Sequence, residues 1–263
     1  MSRIHPTAIV DPAASLGAGV EVGPYAVIGE DTVIGDGSKI GPHALVGPHV
    51  RMGKHNVIHG HAAVGGAPQD LTWRGEDTWL EMGDANVVRE FAQLNRGTLK
   101  GDGWTRVGSN NLFMSACHVG HDCRIGDHVI MANNALIAGH VVIEDRAILN
   151  GAAAVQQFAT VGRHSYVGGL TRVVHDVPPY MVVEGHPSKV RKVNTVGLQR
   201  AGYSPGQIEA IRNAYRVIFR TARPRDEVLT ELEQSPWVTA EVAYLIAFLR
   251  RTGESTAGRA LQA

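Results

Sequence analysis

Aliphatic side chains return every six residues along most of this chain. Starting at Ile4, the series runs Val10, Leu16, Val22, Ile28, Ile34, Ile40, Val46, Met52, Ile58 and Val64. It resumes at Met82, Val88 and Leu94, slips by one residue, and continues from Val107 through Phe113, Val119, Ile125, Met131, Ile137, Ile143, Leu149, Val155, Val161 and Val167 to Val173. A second rule accompanies the first. The residue four places on is small or compact, as at Ala8, Ala14, Ala26, Ala44, Ala135, Ala147 and Ala153, and Gly frequently follows the aliphatic position, as in Val22-Gly23 and Ile125-Gly126.

A six-residue unit is too short for a helical repeat and suits a short strand plus a corner, the large residue filling the interior and the small one fitting beside the bend. Three units close a triangular coil, so residue n lies over residue n+18. Stacked coils share parallel hydrogen bonds about 4.7–4.9 Å apart, which predicts a prism of about eight or nine coils. The pattern resembles the hexapeptide-repeat proteins, and that resemblance implies a left-handed parallel β-helix. General crossover rules alone favour the opposite hand.

Two stretches break the rhythm with Gly, charge and Trp: residues 66–79, GAPQDLTWRGEDTW, and residues 99–106, LKGDGWTR. A solenoid projects insertions as loops, which commonly flank a site. Past Pro178-Pro179 the period is lost and helical signals take over. Ser204, Pro205 and Gln207 form a capping box with Pro at the first helical position, followed by Ile208, Ile211, Tyr215, Ile218 and Phe219 at amphipathic spacing. Val242, Leu245, Ile246 and Leu249 mark another such segment. The expected organisation is a prism over 1–190, two or three capping helices over 191–252, and a flexible tail over 253–263.

Bulk composition narrows the function classes. The 263 residues carry 25 Lys+Arg against 25 Asp+Glu, so the net charge of zero argues against nucleic acid and anionic membranes as partners. Gly is abundant at 31 residues while aromatics are 6%, which fits thin layers with many corners. No apolar run approaches the roughly 18 residues of a membrane span, and MSRIHPTAIV has no signal core, so a cytoplasmic location is expected.

Among thirteen His residues, the cluster His118-Val119-Gly120-His121-Asp122-Cys123, with Gly139-His140 after it, carries candidate chemistry. The eighteen-residue coil stacks His121 on Gly139 and Gln157, and Asp122 on His140. An imidazole beside a carboxylate, with a glycine N–H one coil along, supplies a general base and an oxyanion donor, the parts needed for acyl transfer. Cys117 and Cys123 fall on interior positions and read as structural thiols, without the spacing of a redox or zinc motif. The pair His118-x2-His121 also departs from the His-x4-His of γ-class carbonic anhydrases, so no metal is expected.

HxxHDC at 118–123, Ala138-Gly139-His140, Asn95-Arg96-Gly97-Thr98, Gln69-Asp70-Leu71, Asp176-Val177-Pro178-Pro179-Tyr180 and IRNAYRVIFR at 211–220 together resemble the acyl-[acyl-carrier-protein] UDP-N-acetylglucosamine O-acyltransferase family, the first enzymes of lipid A biosynthesis. The resemblance covers nearly the whole chain. It implies a homotrimer with sites between adjacent prisms, a 3-hydroxyacyl donor carried on the phosphopantetheine of acyl carrier protein, a UDP-sugar acceptor and no cofactor. His121 is then the base, Asp122 its orienting partner and Gly139 the oxyanion donor. Gln69, Asp70, His118, His140, Gln156 and Gln157 line the substrates. Gly169 sets acyl length, with room for a long chain. Asn194 and Arg200, with Lys189, Arg191 and Lys192 nearby, meet phosphate, phosphopantetheine or the acidic carrier.

Four positions depart from the family pattern: Thr72 stands in place of Lys, Asn95 and Gln156 in place of His, and Val196 in place of an acidic residue. All face the acceptor side, which raises the expectation of a changed acceptor such as a 3-amino sugar. The competing readings are the N-acyltransferase of the same pathway, a CoA-dependent sugar-nucleotide acetyltransferase, for which Gly185-His186-Pro187-Ser188-Lys189 speaks, and a non-catalytic scaffold.

Overall fold

The computed structural model describes residues 2–255 and 257–262. Its strands are mostly two residues long and wind as a left-handed parallel β-helix with three faces, in sheets of eleven, nine and eight strands. The register is the eighteen-residue one: Val119 pairs with Ile137, Ile125 with Ile143 and Met131 with Leu149. The aliphatic series points inward, and Ile28, Leu94, Phe113, Ile137 and Leu149 are fully buried. Each such side chain contributes about 1.5–3 kcal/mol of burial. The small position sits inside the bend, where Ala135, Ala147 and Ala153 are also fully buried.

Asn56, Asn86 and Asn111 break the small-residue rule on three successive coils. The Asn56 and Asn86 side-chain amides donate to the corner carbonyls of Gly53, Gly83 and Gly108, Asn86 also donates to Asn56 Oδ1, and the Asn111 N–H donates to Asn86 Oδ1, while the buried Asn111 Nδ2 has no partner among the described residues.

The corners explain how side chains are displayed. At most corners the third residue after the inward aliphatic takes a left-handed backbone, with φ of 61° at Asp122, 60° at His140 and 64° at Phe158. The second residue has an N–H that points away from the ladder. Proline occupies this place at Pro6, Pro12, Pro24, Pro42, Pro48 and Pro179, where no ladder bond is lost, while on the edge between the third and first faces side chains accept from the N–H there, as Asp36 does from Ala18 and Asp127 from Ser109.

Both insertions leave the prism at the same corner, between the second face and the third. The first lies between the strands Ala63–Gly66 and Trp79–Met82, the second between Gln93–Asn95 and Trp104–Val107. The second loop therefore spans 96–103, shifted from the expected 99–106. Trp104–Val107 is strand because it pairs along its whole length with Trp79–Met82, and Trp79 stacks on Trp104 at 5.4 Å.

The β structure extends past residue 190, through an antiparallel hairpin of Met181–Glu184 with Lys189–Val193 that the six-residue period cannot signal. Among the described residues four helices follow: α1 (Thr195–Arg200), α2 (Pro205–Phe219), α3 (Arg225–Glu233) and α4 (Ala240–Gly253). The Ser204–Gln207 capping box of α2 is present. Helix α4 is fastened to the third face by the Tyr244 hydroxyl, which donates to Glu144 at 2.6 Å, and by Arg163 over the Tyr244 ring at 4.0 Å.

The tail was expected to be loose, yet its described residues dock on the last coil. Ala260 N–H donates to the Asp176 carboxylate at 2.9 Å, Asp176 N–H donates to the Gly258 carbonyl at 2.8 Å, and Arg259 donates to the Val174 carbonyl at 2.6 Å. The buried Asp176 carboxylate needs donors, and the tail supplies one. Residues 256 and 263 lie outside the described residues.

Candidate active site

His121 occupies the second place of its corner and Asp122 the left-handed third place, so the bend itself sets the two side chains next to each other. His121 Nδ1 lies 2.7 Å from Asp122 Oδ2, with the Asp122 side chain 3% exposed and that of His121 14% exposed. Thr98, at the base of the second loop, completes the arrangement. Its N–H donates to Asp122 Oδ1 at 2.8 Å and its hydroxyl to Oδ2 at 2.7 Å, while Thr105 Oγ1 accepts from Asp122 N at 2.9 Å. Burial works against ionisation of Asp122. Hydrogen bonds from His121 and Thr98 and the nearby His140 outweigh it and hold the carboxyl below its ordinary range. An ionised carboxylate can only accept, so Nδ1 of His121 carries the proton and Nε2 presents its lone pair.

Gly139 lies under that lone pair. A Cβ built on Gly139 would stand 2.7 Å from His121 Nε2 and 2.6 Å from Cε1, so only glycine admits the ring. Among the described residues nothing accepts from the Gly139 N–H, which sits at the corner position that proline fills elsewhere. A base nitrogen and a free backbone donor thus share one patch of surface.

His140 sits one coil on, edge-to-face with His121 at 5.2 Å and stacked on Phe158 at 4.7 Å, with Nε2 3.5 Å from Asp122 Oδ2. Burial is the largest influence on His140 and keeps it neutral to lower pH than a free imidazole. His118 points outward on the second face, in register with Leu136, and burial followed by repulsion from His121 lowers it likewise. His121, Asp122 and His140 offer one ligand atom each within 4.8 Å, a set that resembles a metal site. Asp122, however, is already engaged by Thr98 and His121.

The first loop adds Asp70, whose Oδ2 stands 4.0 Å from His121 Nε2. Asp70 accepts from the Thr72 N–H and hydroxyl, both at 2.7 Å, and pairs with Lys100 of the second loop at 2.8 Å. Cys117 and Cys123 are buried and free, and burial pushes their thiols up to about 11 and about 12, which makes them inert packing residues.

Residues 31–66 and 105–139 match the bacterial transferase hexapeptide family, and residues 176–259 match the family described as Udp N-acetylglucosamine O-acyltransferase, Domain 2. An acyl-[acyl-carrier-protein]–UDP-N-acetylglucosamine O-acyltransferase of Anaeromyxobacter sp. (strain Fw109-5) is 47% identical over 95% of this chain and 97% of its own. One from Burkholderia mallei is 47% identical over 89% of each. The chain belongs to the UDP-N-acetylglucosamine O-acyltransferase family. Solved structures agree: the enzyme named LpxA from Bacteroides fragilis superimposes with a TM-score of 0.92 at 36% identity, covering 97% of this chain and 98% of that one. The Francisella novicida acyltransferase gives 0.92 at 34% identity, covering 97% and 92%.

Not every residue assigned by resemblance to this acyltransferase family gathers at the His121 corner of one chain. His121, Asp122, Gly139, His140 and Asp70 converge there, with His118 on the adjoining face. Gln69 is exposed on the first loop, and Gln156 and Gln157 belong to the next corner along the same edge, Gln157 exposed. Gly169 is exposed on the edge between the first and second faces. Asn194 and Arg200 line a cleft with His128, Arg146, His164 and Tyr166 on the edge between the third and first faces. Asn194 also caps α1, its Oδ1 accepting from Gly197 N–H while its Nδ2 donates to the His164 carbonyl. Sequence reasoning missed Thr98 as the support of Asp122, and Lys100 altogether. The one available signal was that both loops interrupt the same wall of consecutive coils.

Proposed function

We propose that this chain transfers a 3-hydroxyacyl group from acyl carrier protein to the 3-position of the glucosamine of a UDP-sugar, the opening reaction of lipid A biosynthesis, with His121 as general base. The observation that carries the reading is the Asp122–His121 pair whose Nε2 lies over the unpaired Gly139 N–H, in a chain of this family. Nε2 takes the proton of the acceptor hydroxyl as its oxygen attacks the thioester carbonyl, and Asp122 stabilises the imidazolium. The Gly139 N–H donates to the tetrahedral oxyanion. Collapse breaks the carbon–sulfur bond, and His121 returns the proton to the departing phosphopantetheine thiolate. Base catalysis supplies roughly 10²–10⁴-fold, and one oxyanion donor about 10²–10³-fold. Each step runs on the chain's own groups and the carrier-bound donor, without a metal or organic cofactor.

The same reading makes the working unit a homotrimer. Gly169, Asn194 and Arg200 stand on other edges of the prism, and a threefold arrangement brings a neighbour's edges against His121. Lys189, Arg191 and Lys192 are at the surface near the helical end and suit an acidic carrier, where complementary charge speeds encounter. Among the described residues no helix is long and apolar enough to cross a membrane. A cytoplasmic site of action fits the soluble carrier-bound donor.

The test is a transfer assay with acyl-carrier-protein thioesters of several lengths, each offered the 3-hydroxy and the 3-amino UDP-sugar, with acyl-CoA as a competing donor. Transfer from the carrier thioester, lost on His121→Ala, is expected. Thr72, Asn95, Gln156 and Val196 make the 3-amino arm informative, since a preference there turns the product from ester to amide. Undiminished transfer by His121→Ala, or use of acyl-CoA alone, overturns the proposal.

A further inference from the structure

We infer that Lys100 is a positioning and charge-tuning residue of this site, neutralising Asp70 so that the base nitrogen of His121 is not drawn into its protonated form. The inference rests on the acyltransferase reading above, and its ground is the meeting of the two inserted loops. Asp70 and Lys100 lie thirty residues apart in sequence, yet Lys100 Nζ sits 2.8 Å from Asp70 Oδ2 and 3.1 Å from Oδ1. The same Oδ2 faces His121 Nε2 at 4.0 Å.

His121 is therefore flanked by two carboxylates. Asp122, on the Nδ1 side, orients the ring and stabilises the imidazolium that forms during reaction. Asp70, on the Nε2 side, faces the nitrogen that has to stay unprotonated until the acceptor arrives. An opposite charge within about 4–6 Å favours the charged form of a titrating group, by as much as one to three pH units when unscreened. Hydrogen bonds from Lys100, then from Thr72, hold Asp70 well below the usual carboxylate range, so it is ionised throughout the working range. Lys100 is the cation that offsets it. The remaining groups facing the ring are His118 from the second face and His140 from the next corner, both shifted toward the neutral form chiefly by burial.

The ion pair also ties the loops together over the base. The Asp70 side chain is 11% exposed and that of Lys100 51% exposed, so the carboxylate is sheltered while the amine reaches in from the rim. Thr72 stands where the family pattern carries Lys, and its hydroxyl bonds Asp70 without bringing charge. In this chain the cation beside Asp70 comes from the other loop.

The test is the pH profile of kcat/KM for acyl transfer by the intact protein. Lys100→Met is expected to move the acid limb upward by about half to one pH unit, at or below the floor of that unscreened range because the pair is partly exposed. Lys100→Arg keeps the charge and keeps the limb in place. Asp70→Asn moves the limb downward, and Asp70→Asn combined with Lys100→Met brings it back toward the parent. A purely structural latch lowers kcat/KM at every pH and leaves the limb where it was, and that result overturns the inference. Circular dichroism of each variant separates misfolding from this effect, and the downward shift in Asp70→Asn is an independent check should Lys100→Met fold poorly. A parent protein without transfer activity, or without an acid limb, counts against the acyltransferase reading instead.

Discussion

Gly139→Ala isolates the geometry of the base from every other property of the site. The added methyl would lie 2.6 Å from Cε1, 2.7 Å from Nε2 and 3.0 Å from Nδ1 of His121. Carbon contacts are optimal at about 3.5–4.0 Å, so the ring has to retreat by about 1 Å. A displacement of that size typically costs about 10²-fold in rate, or about 2.7 kcal/mol of barrier. The substitution keeps the backbone N–H, so the proposed oxyanion donor survives, and the corner is partly exposed, so the prism is not overpacked. The expected result in a steady-state acyl-transfer assay is a kcat lowered about a hundredfold, with a melting temperature within about 2 °C of the parent. Full retention of kcat would refute the placement of His121 over Gly139. A loss explained entirely by a collapsed melting temperature would show that the glycine serves the fold alone.

Three further outcomes follow from the contacts around the site and the last coil. Asp122→Asn removes the acceptor that fixes the His121 tautomer and should lower kcat by roughly 10²–10⁴-fold while leaving donor KM near its parent value. Because the folded carboxyl of Asp122 is held low, its contribution to stability is present above the ordinary carboxylate range and is lost as pH falls through the lowered value. Urea midpoints measured between pH 3 and 6 should therefore fall less steeply toward acid in Asp122→Asn than in the parent. Truncation after Gly253 removes the Ala260 donor and the Gly258 acceptor from the buried Asp176. A cost of about 1–3 kcal/mol is expected, read as a melting temperature lower by roughly 2–8 °C, and an unchanged melting temperature would mean that the tail contacts contribute nothing.

Much of the site was legible because a regular coil turns sequence distance into spatial distance. Once the period is six and three units close a turn, His121 has to lie over Gly139, and Asp122 over His140. The corner rule then leaves the Gly139 N–H outside the ladder, as Pro12 and Pro48 at equivalent places on the same edge already indicate. Thr98 and Lys100 escaped for the opposite reason. They belong to segments without a period, and nothing in GTLKGDG says which carboxylate each will meet. Asp70 and Lys100 come together only because both insertions spring from one edge on consecutive coils and fold toward each other.

The sequence by itself determined the wall: which residues point inward, where each corner falls, which coil sits on which, and hence the stacking of His121 on Gly139 and of Asp122 on His140. These are consequences of a short repeat whose hydrogen bonds always join residues one coil apart. The tertiary structure alone decided how the irregular parts dock: the loops over His121, the hairpin beyond residue 190, the tail on Asp176, and the assignment of Gly169, Asn194 and Arg200 to edges away from the base. Those contacts are set by side chains that meet across large separations in the chain, where burial and charge pairing, not periodicity, choose the partner.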